Sequence, residues 1–174
     1  MTKYNDNKIK YKVGDLTEAL KSGEVSVIGH QANCFCTMNS GVAKAIKMEF
    51  PDAWYADQET EKGDVGKFGD CSVGVHDRDD GSCGLIYNLY GQYNYGYDAK
   101  GYTDYGKLEE ALTHMRNDIL TATQYQPNYF KVGFPKIGAG LGGGDWDTIA
   151  EIVDSVFDER FTVTVYVLRE EDLC

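Results

Sequence analysis

Two stretches hold the residue types that could do chemistry. His30 ends an apolar run that begins Val25-Ser26-Val27-Ile28, and Lys47 stands six residues after Gly41 in MNSGVAKAIK (38–47). Nearer the C-terminus, PKIGAGLGGGDW (135–146) sets Gly138, Gly140, Gly142, Gly143 and Gly144 between an apolar run and an amphipathic one. Histidine is the side chain whose ordinary pKa lets it take or give a proton near neutrality. A lysine facing a pocket supplies a cation or an amine nucleophile. Glycine loops let backbone N–H groups approach a ligand, and a polar loop opening a helix after a strand is a ready anion site. The chemistry these residues suit is the holding of a small anion beside a proton-transfer group.

Each residue also has a plainer reading. His30 fits a hydrogen-bonded structural histidine, Lys47 a solvated helix residue, and the glycines a flexible turn. Asp15 fits a turn or N-cap, while its carboxylate could equally accept from the exocyclic amine of a base. Cys34-Phe35-Cys36 with His30 lacks a second ligand pair at metal-site spacing, so free thiols are expected and no metal. GAGLGG is not a dinucleotide fingerprint, because no acidic strand end follows about 20 residues on. No Gly-Lys-Ser/Thr follows the glycines, and no Gly-x-Ser-x-Gly elbow occurs.

The elements that must position these residues alternate. Lys8–Val13 reads as an edge or half-buried strand, and Leu16–Lys21 as a short helix capped by Asp15 or Thr17. Val25–His30 reads as a buried strand. A helix follows from Gly41, with Val42, Ala45, Ile46 and Phe50 on one face and Lys47 at its shoulder, until Pro51 closes it. Asp52–Lys62 reads as a helix anchored by Trp54, and Gly63–Gly69 as a turn region. Strands Asp70–His76 and Gly84–Tyr90 flank the turn DRDDGS. Gly91–Gly106 carries Tyr93, Tyr95, Tyr97, Tyr102 and Tyr105 with no regular period, as an ordered excursion would. Amphipathic helices are expected at Lys107–Tyr125 and Asp147–Asp158, and strands at Phe130–Phe134 and Phe161–Leu168, the last central in its sheet. The alternation predicts one domain over residues 1–174, a three-layer α/β/α sandwich with a central mixed β-sheet. In such sheets ligands bind beyond the carboxyl ends of strands, where both polar loops fall.

Composition bounds the partners. Net charge is −11 across 174 residues, which disfavours gripping a long polyanion through many phosphates but permits a compact anionic ligand. No apolar run approaches a membrane span, the N-terminus lacks a secretory segment, and five cysteines without disulfide spacing suit a reducing cytoplasm. A monomer is the default expectation.

Taken together the motifs resemble a macro domain, the ADP-ribose-binding module. VGDLT (13–17), Asn33, MNSGVAKAI (38–46) and PKIGAGLGGGDW (135–146) match the family's motifs in order across most of the chain. The resemblance implies that Asp15, with Leu16 beside it, meets the adenine and that Asn33 meets the distal ribose. It implies that Ser40, Gly41 and Val42 in one loop, and Ile137, Gly138, Ala139, Gly140, Leu141 and Gly142 in the other, clasp pyrophosphate and ribose. No cofactor is implied. His30 stands where ADP-ribose-1''-phosphate phosphatases of the family carry a proposed catalytic histidine. Lys47 stands where its glycohydrolases carry a catalytic lysine. Gly142 departs from the protein-directed glycohydrolase, which has an aspartate there; Asp145 is the candidate substitute. Hydrolysis at C1'' of the distal ribose, foremost of ADP-ribose-1''-phosphate, is therefore expected. Removal of ADP-ribose from acidic side chains or DNA through Lys47, and ADP-ribose reading without chemistry, are the alternatives.

Overall fold

The computed structural model describes residues 9–96, 98, 100–123 and 127–173. Lys8, Tyr97 and Tyr125, named above, and Cys174, one of the five cysteines, lie outside the described residues. The elements are β1 (Lys10–Val13), α1 (Leu16–Ser22), β2 (Val27–Gln31), α2 (Gly41–Glu49), α3 (Pro51–Gln58), β3 (Cys71–Asp77), β4 (Cys83–Leu89), α4 (Tyr105–Ala122), β5 (Lys131–Phe134), α5 (Trp146–Val156) and β6 (Thr162–Val167). One six-stranded sheet runs β1-β6-β5-β2-β4-β3. All neighbours are parallel except β3, which returns antiparallel on β4 after the DRDDGS turn. The predicted α/β class and mixed sheet are observed.

Helices cover both faces. Leu20, Ile46, Phe50 and Ala53 of the α1–α3 layer bury against Ile28 and Ile86. Leu108, Met115, Ile149 and Val153 of α4 and α5 bury against Val27, Phe134 and Val165 on the other face. Alternate residues of β2 thus enter opposite cores, as the two-residue period of a strand requires. β6 lies between β1 and β5, so its interior position agrees with its apolar content.

The helix faces depart from expectation in two places. In α2 only Ile46 is buried; Val42 is 39% exposed and Ala45 is exposed, because the helix begins at the rim of a cavity that Val42 lines. In α3 the inward residues are Ala53 and Asp57, while Trp54 is only half-buried. The reason is a close approach: a Cβ on Gly74 of β3 would lie 2.5 Å from the Ala53 backbone, so the helix seats on β3 by its small face. Pro51 not only closes α2 but opens α3 at a position where no backbone donor is needed. The turn region 63–69 contains a 3-10 turn at Val65–Lys67.

Neighbouring strands β2 and β5 send their chains to opposite faces, into α2 and α5 respectively. That divergence opens a crevice at their carboxyl ends, where both polar loops lie.

Candidate functional site

The crevice is a cavity of about 350 Å³. The first loop and the start of α2 supply Asn33, Thr37, Asn39, Ser40, Gly41, Val42 and Ala43; the second loop supplies Pro135, Lys136, Ile137, Gly138, Gly140, Leu141 and Gly142. In a chain of net charge −11, no Asp or Glu is among the described lining residues, whereas Lys136 is. Ser40 is the N-cap of α2 but makes no side-chain cap bond, leaving the first-turn amides without a partner inside the helix. Those amides and the positive helix end are groups suited to an anion, and Lys136 is on the same lining.

His30 also lines the cavity, yet it is 2% exposed. Its Nε2 lies 2.6 Å from Asn88 Oδ1. Asn88 Nδ2 donates to Ala53 O at 2.9 Å and to Ser72 Oγ at 3.0 Å, which spends both amide hydrogens. Oδ1 must therefore accept, and His30 carries its proton on Nε2. Nδ1 keeps a lone pair with no partner among the described residues. Burial pushes the imidazole down to about 4, outweighing the opposite pull of Asn88 and the Gln31 backbone. The site thus holds a neutral histidine with one unsatisfied acceptor.

Asn33 is buried and serves its own loop: Oδ1 accepts from Phe35 N at 2.8 Å and Nδ2 donates to Thr37 Oγ1 at 2.7 Å. Other expected residues sit elsewhere. Lys47 does not line the cavity; its Nζ is 5.0 Å from the centre of the Trp54 ring. Asp145 caps α5, accepting from Thr148 N at 3.0 Å and Thr148 Oγ1 at 2.8 Å. Asp15 caps α1 through Thr17, whose hydroxyl holds the carboxyl below its usual range, and Leu16 packs in the core. Ala139 packs against the α4–α5 core. The structure gathers His30, Asn33, Ser40, Gly41, Val42, Ile137, Gly138, Gly140, Leu141 and Gly142 around one cavity and leaves Asp15, Leu16, Lys47, Ala139 and Asp145 off its lining.

Sequence reasoning missed Lys136 and the wall made by Gln92, Tyr95 and Gly96. The wall belongs to the tyrosine-rich excursion, whose length without regular structure was the available signal. Gln31 Nε2 donates to Gln92 Oε1 and Thr103 Oγ1, both at 2.8 Å, and Thr103 Oγ1 donates to Gly138 O at 2.8 Å. Thr103 N donates to Gly142 O at 3.0 Å. This clasp explains the glycine at 142: a Cβ there would lie 2.4 Å from Thr103 Oγ1 and 2.8 Å from Gly138 O. An aspartate such as the protein-directed glycohydrolase carries there would have no room.

Comparison with known structures places the fold. The macrodomain of Mycobacterium tuberculosis DarG superposes with a TM-score of 0.70 at 21% identity, covering 91% of this chain and 96% of that one. A Bacteroides thetaiotaomicron protein of unknown function matches with a TM-score of 0.68 at 24% identity, over 91% and 96% of the two chains. Thermosipho africanus DarTG, solved in complex with ADP-ribose, matches with a TM-score of 0.62 at 16% identity, over 94% of this chain and 42% of that one. The fold is that of a macrodomain. No family model matches the sequence. The uncharacterized 17.5 kDa protein of the tk-vs intergenic region of Enterobacteria phage T4 is 34% identical over 157 residues, 84% of this chain and 88% of its own length. The chain belongs to the family of that phage protein.

Proposed function

We propose that the cavity binds ADP-ribose and that the protein hydrolyses ADP-ribose derivatives at C1'' of the distal ribose, with ADP-ribose-1''-phosphate as substrate. The observation that carries this reading is a cavity in an acidic protein with no carboxylate among its described lining residues, with Lys136 on its lining and, where α2 opens on it, first-turn amides that have no partner inside the helix. The ADP-ribose complex of the Thermosipho protein, which shares the fold, supports the same ligand.

In this mechanism the amides opening α2 and the second loop hold phosphate oxygens by backbone hydrogen bonds, and Lys136 adds charge. Among the expected catalytic residues, His30 alone lines the cavity; its Nδ1, buried and without a partner among the described residues, is the ring atom with a lone pair left to take a proton as water attacks. A bound phosphate dianion opposes the burial that keeps the ring neutral, moving His30 upward toward the working range. The products are ADP-ribose and inorganic phosphate. De-ADP-ribosylation through Lys47 is less well supported, since that ammonium lies over Trp54 and off the cavity lining.

A phosphorus NMR time course with ADP-ribose-1''-phosphate tests the reading. Phosphate release by the wild type, lost in His30→Gln, is expected. Release at an undiminished rate in the variant removes His30 from the mechanism. Ligand broadening without turnover leaves an ADP-ribose reader.

A further inference from the structure

A cluster of reactive side chains lies behind the first loop, off the cavity lining. Lys67 ends the 3-10 turn and is 8% exposed. Its ammonium donates to Thr60 Oγ1 at 2.8 Å, lies 3.4 Å from Cys36 Sγ and sits 5.2 Å from the centre of the Tyr90 ring. No carboxylate of a described residue comes within 4.0 Å of it. A lysine so buried ordinarily has such a partner. The neighbouring Asp57 is pushed up by burial, and its Oδ1 accepts from the Tyr90 hydroxyl at 2.7 Å.

Cys36 has a φ of 59°, the one left-handed conformation among described residues other than glycine. Such a conformation crowds the Cβ of an L residue and persists only where its surroundings enforce it. Here Cys36 O accepts from Gln58 Nε2 at 2.8 Å, while Sγ meets Asp57 O at 3.4 Å and Thr60 Oγ1 at 3.5 Å beside the lysine. The other described thiols are held toward their protonated form. Burial pushes Cys34 up to about 11 and Cys71 up to about 12, and the Asp77 carboxylate raises Cys83.

We propose that Cys36 and Lys67 form an oxidative modification site, in which a peroxide oxidises the thiol and the lysine amine captures the product as a sulfur–nitrogen bond. Cys36 Sγ takes one oxygen as the peroxide O–O bond breaks, giving a sulfenic acid and water; sulfur loses two electrons and the peroxide gains them. Lys67 releases its ammonium proton to solvent, and the amine attacks sulfur. The S–O bond breaks, and the departing hydroxide leaves as water with an amine proton. Thiol, amine and one peroxide thus yield the S–N link and two waters, with no further oxidant. The link joins the loop bearing Asn33, Thr37 and Asn39 to the 3-10 turn, whatever the cavity binds.

The full-length wild type is treated with hydrogen peroxide, digested without reductant by a glutamyl endopeptidase and mapped by mass spectrometry. A peptide pair joining residues 36 and 67, lighter by two hydrogens than its parts and separated by dithiothreitol, is expected. It is absent from Cys36→Ser. A dimedone adduct or sulfinic acid at Cys36 without the linked pair overturns the proposal, as does oxidation of Cys71 or Cys83 while Cys36 stays intact. Mapping the wild type makes the result independent of whether a Lys67 variant folds. Lys67→Met that retains its circular dichroism should instead accumulate dimedone-reactive Cys36.

Discussion

His30 and Asn88 stand opposite one another in the β2–β4 register, joined by a 2.6 Å hydrogen bond from Nε2 to Oδ1. The bond begins a chain of donors that all point one way. Asn88 donates to Ser72, Ser72 lies 2.8 Å from the Tyr90 hydroxyl, and Tyr90 donates to Asp57. Two buried atoms with no partner among the described residues, His30 Nδ1 and Asp57 Oδ2, belong to the residues at the two ends of this chain.

His30 makes stability depend on pH. Its folded pKa of about 4 lies below the unfolded value near 6.5, so the unfolded chain binds more protons between those limits. The folded state is fully favoured above about 6.5 and loses up to about 3 kcal/mol as pH falls toward 4. His30→Gln can still donate to Asn88 but does not titrate. Urea unfolding at pH 7 and pH 4.5 should show a smaller acid loss in this variant than in the wild type; equal losses would assign the effect to other groups.

Replacing Asn88 by Asp puts a carboxylate against the imidazole and favours the imidazolium. The His30 titration followed by imidazole NMR should move upward from about 4. An unmoved titration would mean that the Asn88 contact does not govern the ring.

At Gly142 an added methyl meets Thr103 and the Gly138 carbonyl. Gly142→Ala should lower stability by about 1–3 kcal/mol, the usual range for overpacking. Adding Thr103→Ala should recover only part of the loss, because Gly138 O remains 2.8 Å away. Thermal unfolding of the single and double variants measures both.

Asp145 and Lys47 separate helix capping and ring contact from catalysis. Asp145→Ser keeps a capping oxygen, whereas Asp145→Ala should destabilise by about 1 kcal/mol. Lys47→Met should change stability by about 0.5–1 kcal/mol, the size of an exposed cation–π contact. Phosphate release should persist in Asp145→Ser and Lys47→Met; loss in either would return that residue to the reaction.

Lys136→Gln should weaken ADP-ribose binding and flatten its dependence on salt, since one cation is removed from the cavity lining. Calorimetric titrations at low and high ionic strength give both quantities.

The alternating apolar periods and the two polar loops were legible in sequence because strand and helix periods are local properties of the chain. So was the start of α1, where Asp15, one of two candidate caps with Thr17, precedes its helix in the order that capping requires. Asp145, a candidate for chemistry in the sequence, is instead the cap of α5. The order of motifs carried the resemblance, and ten of its expected site residues line the cavity. What sequence could not supply were relations across the fold. Whether Trp54 or Ala53 turns inward depended on the close seat against Gly74, a contact between elements distant in the chain. His30 could be read as base or structural residue until Asn88, 58 positions away, fixed its proton. The glycine at 142 needed Thr103, and Lys67 gained its thiol neighbour only through the return of the first loop. Local pattern decided which elements form; packing decided which side chains they bring together, because burial and hydrogen bonding depend on neighbours that sequence spacing does not reveal.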